Sequence, residues 1–97
     1  MARLPDIESE QSKLTTVLRA MSNARRMHIL NKLSDGRERP VSELEGVIAS
    51  LSQSSISQHL ARLRRANIVR MRGESKTIFF SIDHSDVLRI LGLLGHI

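Results

Sequence analysis

The sequence predicts a mainly α-helical fold with one small β-hairpin: four helices, two strands and a closing helix. Three observations carry that prediction. Apolar residues recur at helical spacing as far as about Ala66. The stretch IVRMRGESKTIFFSI alternates instead. From Ser85 onward the helical spacing returns. At 97 residues the chain has room for one domain, and a core this small is often completed by oligomerisation.

Residues 1–10 are expected to fray around Pro5 and its neighbouring acids. Leu14, Val17, Leu18 and Met21 then set a first helix over about 11–21. A break near Ser22-Asn23 offers an N-cap for a second helix, which carries Met27, Leu30 and Leu33 inward. Gly36 in SDG can take the left-handed conformation that ends it. RERP reads as a loop, because Pro40 disfavours helix at the residue before it. Ser42 and Glu45 have capping-box spacing at the start of a third helix, which buries Leu44, Val47 and Ile48. Ser52 caps the fourth, and Leu51 before it can pack as a staple against Ile56.

The hairpin occupies about 68–82. Val69 and Met71 face one way, Arg70 and Arg72 the other, while Ile78, Phe80 and Ile82 share a face. RGESK contains the glycine that a tight turn needs. Phe79 points opposite to Phe80, toward the wing base or a dimer seam. Asp83 or Ser85 caps the last helix, over about 85–96. Its Val87, Leu88, Ile90, Leu91, Leu93 and Leu94 wrap more than one side. One side can meet its own domain. The other meets a second copy of the chain, together with the first helix.

Composition narrows the function. There is no cysteine, which removes disulfides, thiolate metal sites and thiol redox chemistry. No apolar run approaches the roughly 20 residues that span a membrane, and MARLPDIESE lacks the apolar core of a signal peptide. A soluble cytoplasmic protein with no membrane partner is expected. The net charge of +5 suggests an anionic partner, most often nucleic acid. No acid lies between Glu45 and Glu74, a gap that holds Arg62, Arg64, Arg65, Arg70 and Arg72. A merely solvated surface would intersperse both signs.

Two short helices with a tight turn, the second basic and acid-free, followed by a hairpin, describe a winged helix-turn-helix. The helix-turn-helix covers about 42–66. With Ile56 at the centre of the buried face, Ser54, Gln58, Ala61 and Arg65 fall opposite, flanked by Ser55, Ser57 and Arg62. Gln pairs with adenine, and Ser donates to or accepts from several bases. Gln53, Ser54, Ser57 and Gln58 are therefore the base-reading candidates for double-stranded DNA. Ala61 would let the helix sit close. Ser55, Arg62, Arg65, Arg70, Arg72 and Lys76 are the phosphate candidates.

The segment LSQSSISQHLARLRRANIVRMRGESKTIFFSI resembles the recognition helix and wing of the ArsR/SmtB-type winged-helix family, and AMSNARRMHIL resembles its second helix. The likeness runs from about Leu14 to Leu94 and is strongest to the NolR/HlyU-like branch. It implies a homodimer built on the first and last helices, binding an imperfect palindrome and usually repressing transcription. It adds His59 as a backbone contact. The dimer interface is assigned to Leu14, Val17, Leu18, Val87, Leu91 and Leu94.

The sensing residues of that family do not carry over. Its third-helix metal site uses cysteines, where this chain has Ser42, Glu43, Leu44 and Glu45. Its last-helix site uses D-x-H, whereas Asp83 and His84 are adjacent. His84 and His96, about 18 Å apart along one helix, could share a metal only across a dimer. No metal or other cofactor is expected, and any inducer stays unidentified. Arg25 and Arg26 read as a solvated face, His28 as partly buried, and Met21, Met27 and Met71 as core filler. Asp35 and Glu38 lie in a loop with arginines. No nucleophile–base pair, no carboxylate pair in an apolar setting and no phosphate-binding glycine loop is found, so an enzyme is not expected. A protein-interaction winged helix without specific DNA binding is the alternative.

Overall fold

The computed structural model describes residues 7–46 and 52–95. The expected contacts of Val47, Ile48 and Leu51, and the position of His96, lie outside the described residues. The element order is α1 (Ile7–Met21), α2 (Ala24–Lys32), β1 (Arg39–Pro40), α3 (Val41–Glu45), α4 (Gln53–Arg65), β2 (Val69–Glu74), β3 (Thr77–Ile82) and α5 (Ser85–Leu93). The predicted order of helices and hairpin is present, with β1 added. Helix α1 begins at Ile7, inside the segment expected to fray.

One core joins all five helices to the hairpin base. Ile29, Leu30 and Leu33 of α2 and its end meet Leu44 of α3, Ile56 and Leu63 of α4, Ile68, and Val87 and Leu91 of α5, all at 0 % exposure. Val17, Ala20 and Met21 close it from α1, and Met27 packs at its margin. α2 starts where expected: the Asn23 side chain accepts from the Arg26 N–H at 3.0 Å. Gly36 takes φ +78°, as its position required.

Three caps differ from expectation. RERP is not wholly a loop, because Arg39 and Pro40 pair with Phe80 and Phe79 on β3. Pro40 then fixes the extended residue before α3, so the helix starts at Val41, and Ser42 lies one residue inside it rather than at its cap. His84, not Asp83 or Ser85, caps α5: its Nδ1 accepts from the Val87 N–H at 3.4 Å. α5 ends at Leu93, sooner than the expected 96, with Gly95 at φ +69° just beyond.

The hairpin turn lies within RGESK, but not at its glycine. Gly73 pairs with Ile78 inside β2, and the turn is Ser75–Lys76, with Ser75 carrying the positive φ of 55°. The strands run beyond the core: Met71 and Ile78 are 43 % and 41 % exposed, so Met71 is not core filler. Six-residue strands span roughly 20 Å, more than the helical body behind them can cover.

α4 ends in a two-bond left-handed cap. The Asn67 N–H donates to the Arg64 carbonyl at 2.9 Å, and the Ile68 N–H to the Leu63 carbonyl at 3.0 Å. Asn67 is left-handed, φ 58°. This cap turns the chain from the helix into the wing. Asn67→Val should cost about 1–2 kcal/mol, because a branched side chain opposes that conformation. Asn67→Gly should be neutral or slightly stabilising. Urea unfolding midpoints for the pair check this, and equal midpoints would remove the backbone conformation as the cause.

Candidate nucleic-acid interface

Helix α4 is mounted by Ile56, Leu60 and Leu63, all buried, so the opposite side of the helix must face out. Ser54, Ser57, Gln58, Ala61 and Arg65 are exposed there, as the helical spacing required. The helix start is fixed by Ser52, whose Oγ accepts from the Ser55 N–H at 3.1 Å. The Ser52 hydroxyl also donates to the Ser55 Oγ at 3.1 Å, which ties half-buried Ser55 to the cap. Gln53 is less free than its sequence position suggested. Its Nε2 donates to Glu45 Oε1 at 3.1 Å, linking α4 to α3 and bringing one carboxylate to the rim of this face.

Beside the exposed stripe runs a cleft of about 540 Å³. Ser54, Ser57, Ala61 and Arg64 form one wall, and Met71, Ile78 and Phe80 of the hairpin form the other. The exposed apolar residues of the wing thus face the helix that carries the polar stripe.

His59 and Arg26 are placed differently from their readings. Arg26 is not simply solvated. It is half-buried and donates to the Ala20 and Arg19 carbonyls, holding the end of α1. Its Nη1 lies 3.4 Å from His59 Nδ1. Arginine only donates, so Nδ1 must accept and Nε2 carries the ring proton. Burial, then Arg26 and Arg25, lower the His59 pKa, which favours the neutral ring. What it can offer outward is an N–H, not a charge. His28, expected to be partly buried, is exposed.

The wing carries the main correction. Arg72 is not a free cation. Its Nε and Nη2 donate to Glu38 at 3.0 and 2.8 Å, and its Nη1 donates to Glu74 at 2.7 Å. Its guanidinium also lies 5.0 Å from the centre of the Phe79 ring, which is where Phe79 packs. The spacing of Glu38 and Arg72 in the chain hid this clamp. The antiparallel pairing of β1 and β2 on either side of β3 brings them together. The hydrogen bonds from Arg72 hold the Glu38 carboxyl below its usual range. A depressed carboxyl stabilises above its unfolded value and loses that contribution as pH falls through the folded one. Protonation of Glu38 in acid therefore weakens the clamp. Arg70 and Lys76 are exposed, and no ion pair among the described residues holds either.

The apolar surface is also redistributed. Val17, Val87 and Leu91 are within the protomer's own core, the last two at 0 % exposure, and have little to offer a partner. The exposed large apolar residues of α1 and the α5 end are Leu14, Leu18, Leu93 and Leu94. Leu93, at 88 %, was read as an apolar residue of the last helix but not assigned to the interface. Among the described residues no three His, Cys, Asp or Glu side chains gather as a metal site, and His84 already uses Nδ1 as a cap.

Residues 23–71 match the family model described as bacterial regulatory protein, arsR family. The chain is 41 % identical over 91 residues to the transcriptional activator HlyU of Vibrio cholerae, covering 94 % of this chain and 82 % of that protein. A solved structure of HlyU superposes with a TM-score of 0.81, covering 90 % of this chain and 92 % of the other. The nodulation protein NolR of Rhizobium meliloti is 39 % identical over 98 residues, covering all of this chain and 79 % of that protein. The homodimeric winged helix-turn-helix DNA-binding domain of Mb0332 from Mycobacterium bovis is 27 % identical, with a TM-score of 0.81 over 98 % of this chain and 87 % of that one.

Proposed function

Because the chain belongs to the arsR family of bacterial regulatory proteins, we propose that it represses transcription by occupying a palindromic DNA operator as a homodimer. It is a regulatory protein and not an enzyme. In this reading α4 enters the major groove and the wing lies along the backbone. The carrying observation is the outward stripe of α4, polar and acid-free on a fully buried mount. Ser54, Ser57 and Gln58 read bases, with Gln53 released from Glu45 on binding. Arg62, Arg65, Arg70 and Lys76 meet phosphates, and His59 donates Nε2–H. Leu14, Leu18, Leu93 and Leu94 pack against the second copy. No helix among the described residues is long and apolar enough to cross a membrane. The protein would act in the cytoplasm, where bacterial DNA is.

Selection of genomic fragments, followed by mobility shifts at several salt levels, tests this. A steep salt dependence with discrimination against scrambled DNA is expected. Equal affinity for every sequence would favour a protein-interaction module instead. Half-sites should lie about one helical turn, or a multiple, apart.

The clamp on Arg72 changes what the wing contributes. Arg70→Ala should lower the slope of log affinity against log salt by about one. Arg72→Ala should leave that slope nearly unchanged, because its charge is already matched by carboxylates. The two slopes, measured on one operator, decide the matter.

A further inference from the structure

At the junction of α1 and α4, Thr16, Arg19, Arg62 and Arg65 line a cleft of about 250 Å³. The Thr16 hydroxyl already donates to the Ser12 carbonyl at 2.9 Å, so the donors left for a ligand are the arginines. Among the described residues none of these three arginines has a carboxylate partner; the ion pairs belong to Arg39, Arg72 and Arg89. Next to them Arg26 is held by its carbonyl contacts and repelled by Arg62. Like charges gathered without a counterion oppose the fold unless an anion meets them.

Position along the helix says which anion. From Gln53 to Arg65 is roughly 18 Å of helix, whereas the major groove is about 8.5 Å deep. A helix entering by its N-terminal turns has therefore left the groove floor before Arg62. Those arginines stand at the level of the strand, where the phosphates are.

We propose that Arg19 joins Arg62 and Arg65 in holding a backbone phosphate, which makes α1 part of the DNA interface. The proposal rests on the operator-binding reading. Arginines in the last turns of α1 and α4 also complement the helix dipoles. That role alone predicts lost stability and no change in DNA binding.

The test is Arg19→Ala, with Arg19→Lys as the charge-keeping control and thermal unfolding run on both. The alanine variant should lower the salt slope by about 0.9. It should weaken operator and scrambled DNA by the same factor, and lysine should restore most of the loss. Inorganic phosphate, titrated against chloride at matched ionic strength, should compete with DNA in the wild type more than in Arg19→Ala. An unchanged slope overturns the proposal. So does inorganic phosphate that binds the arginines without displacing DNA, which would mark a site for a free anion. If wild-type protein fails to discriminate operator from scrambled DNA, the operator reading itself has failed, and the two failures are distinct.

Discussion

Leu63→Ala should lower folding stability by about 2–5 kcal/mol. Leu63 is fully buried, on the core side of α4. Truncation removes apolar contact and leaves a cavity, and the close packing of the core that Leu63 shares with the other buried residues limits collapse. A domain of this size has only about 5–15 kcal/mol in total. The effect should reach the outward stripe of α4, because the Leu63 side chain is one of the three that mount this helix on the core. Urea unfolding at one fixed protein concentration measures it, since self-association would move the midpoint with concentration. A loss below about 1 kcal/mol would show that the site closes over the gap.

Gln58→Ala should leave the fold intact and reduce discrimination between operator and altered operator by about 1–3 kcal/mol. Gln58 is exposed, and no hydrogen bond to another described residue occupies its side chain. Its amide is therefore available for a paired contact with a base. Gln53 differs, because a base must first take its amide from Glu45. Gln53→Ala should have the smaller effect. The check is affinity for a panel of single-base operator variants, with circular dichroism as the folding control. Equal loss across the panel would place Gln58 against the backbone.

Much of this arrangement was legible in the order of residues. The mount of α4 followed from Ile56, Leu60 and Leu63, and its outward stripe from the residues between them. The Ser22-Asn23 break, Ser52 and Gly36 announced helix ends because each has a local reason to be there. What stayed hidden depended on residues distant in the chain. Arg72 looked free because Glu38 is 34 positions away, and only the strand order joins them. Arg26 looked solvated because its acceptors are carbonyls at the end of another helix. Val87 and Leu91 look identical to Leu93 and Leu94 by hydropathy. Which of them meet the core depends on how α5 lies against the hairpin. The turn falls within RGESK but not on its glycine for a different reason: Gly73 favours a turn, but pairing from Val69 to Glu74 outweighed it and left the positive φ to Ser75.

The three-stranded sheet is small enough that its outer strands could recruit strands from other molecules. One border is β1, two residues long, where Pro40 has no N–H to give and α3 begins at once. The other border is β2, where Arg70 and Arg72 alternate along the strand. A strand approaching from solvent would meet either a missing donor or the exposed charges of Arg70 and the Arg72–Glu74 pair. Edge-to-edge growth of the sheet is thereby blocked on both sides, while the exposed leucines of α1 and α5 remain open to one symmetric partner. In the proposed homodimer, contact between copies is thus kept off the strands and left to the helices.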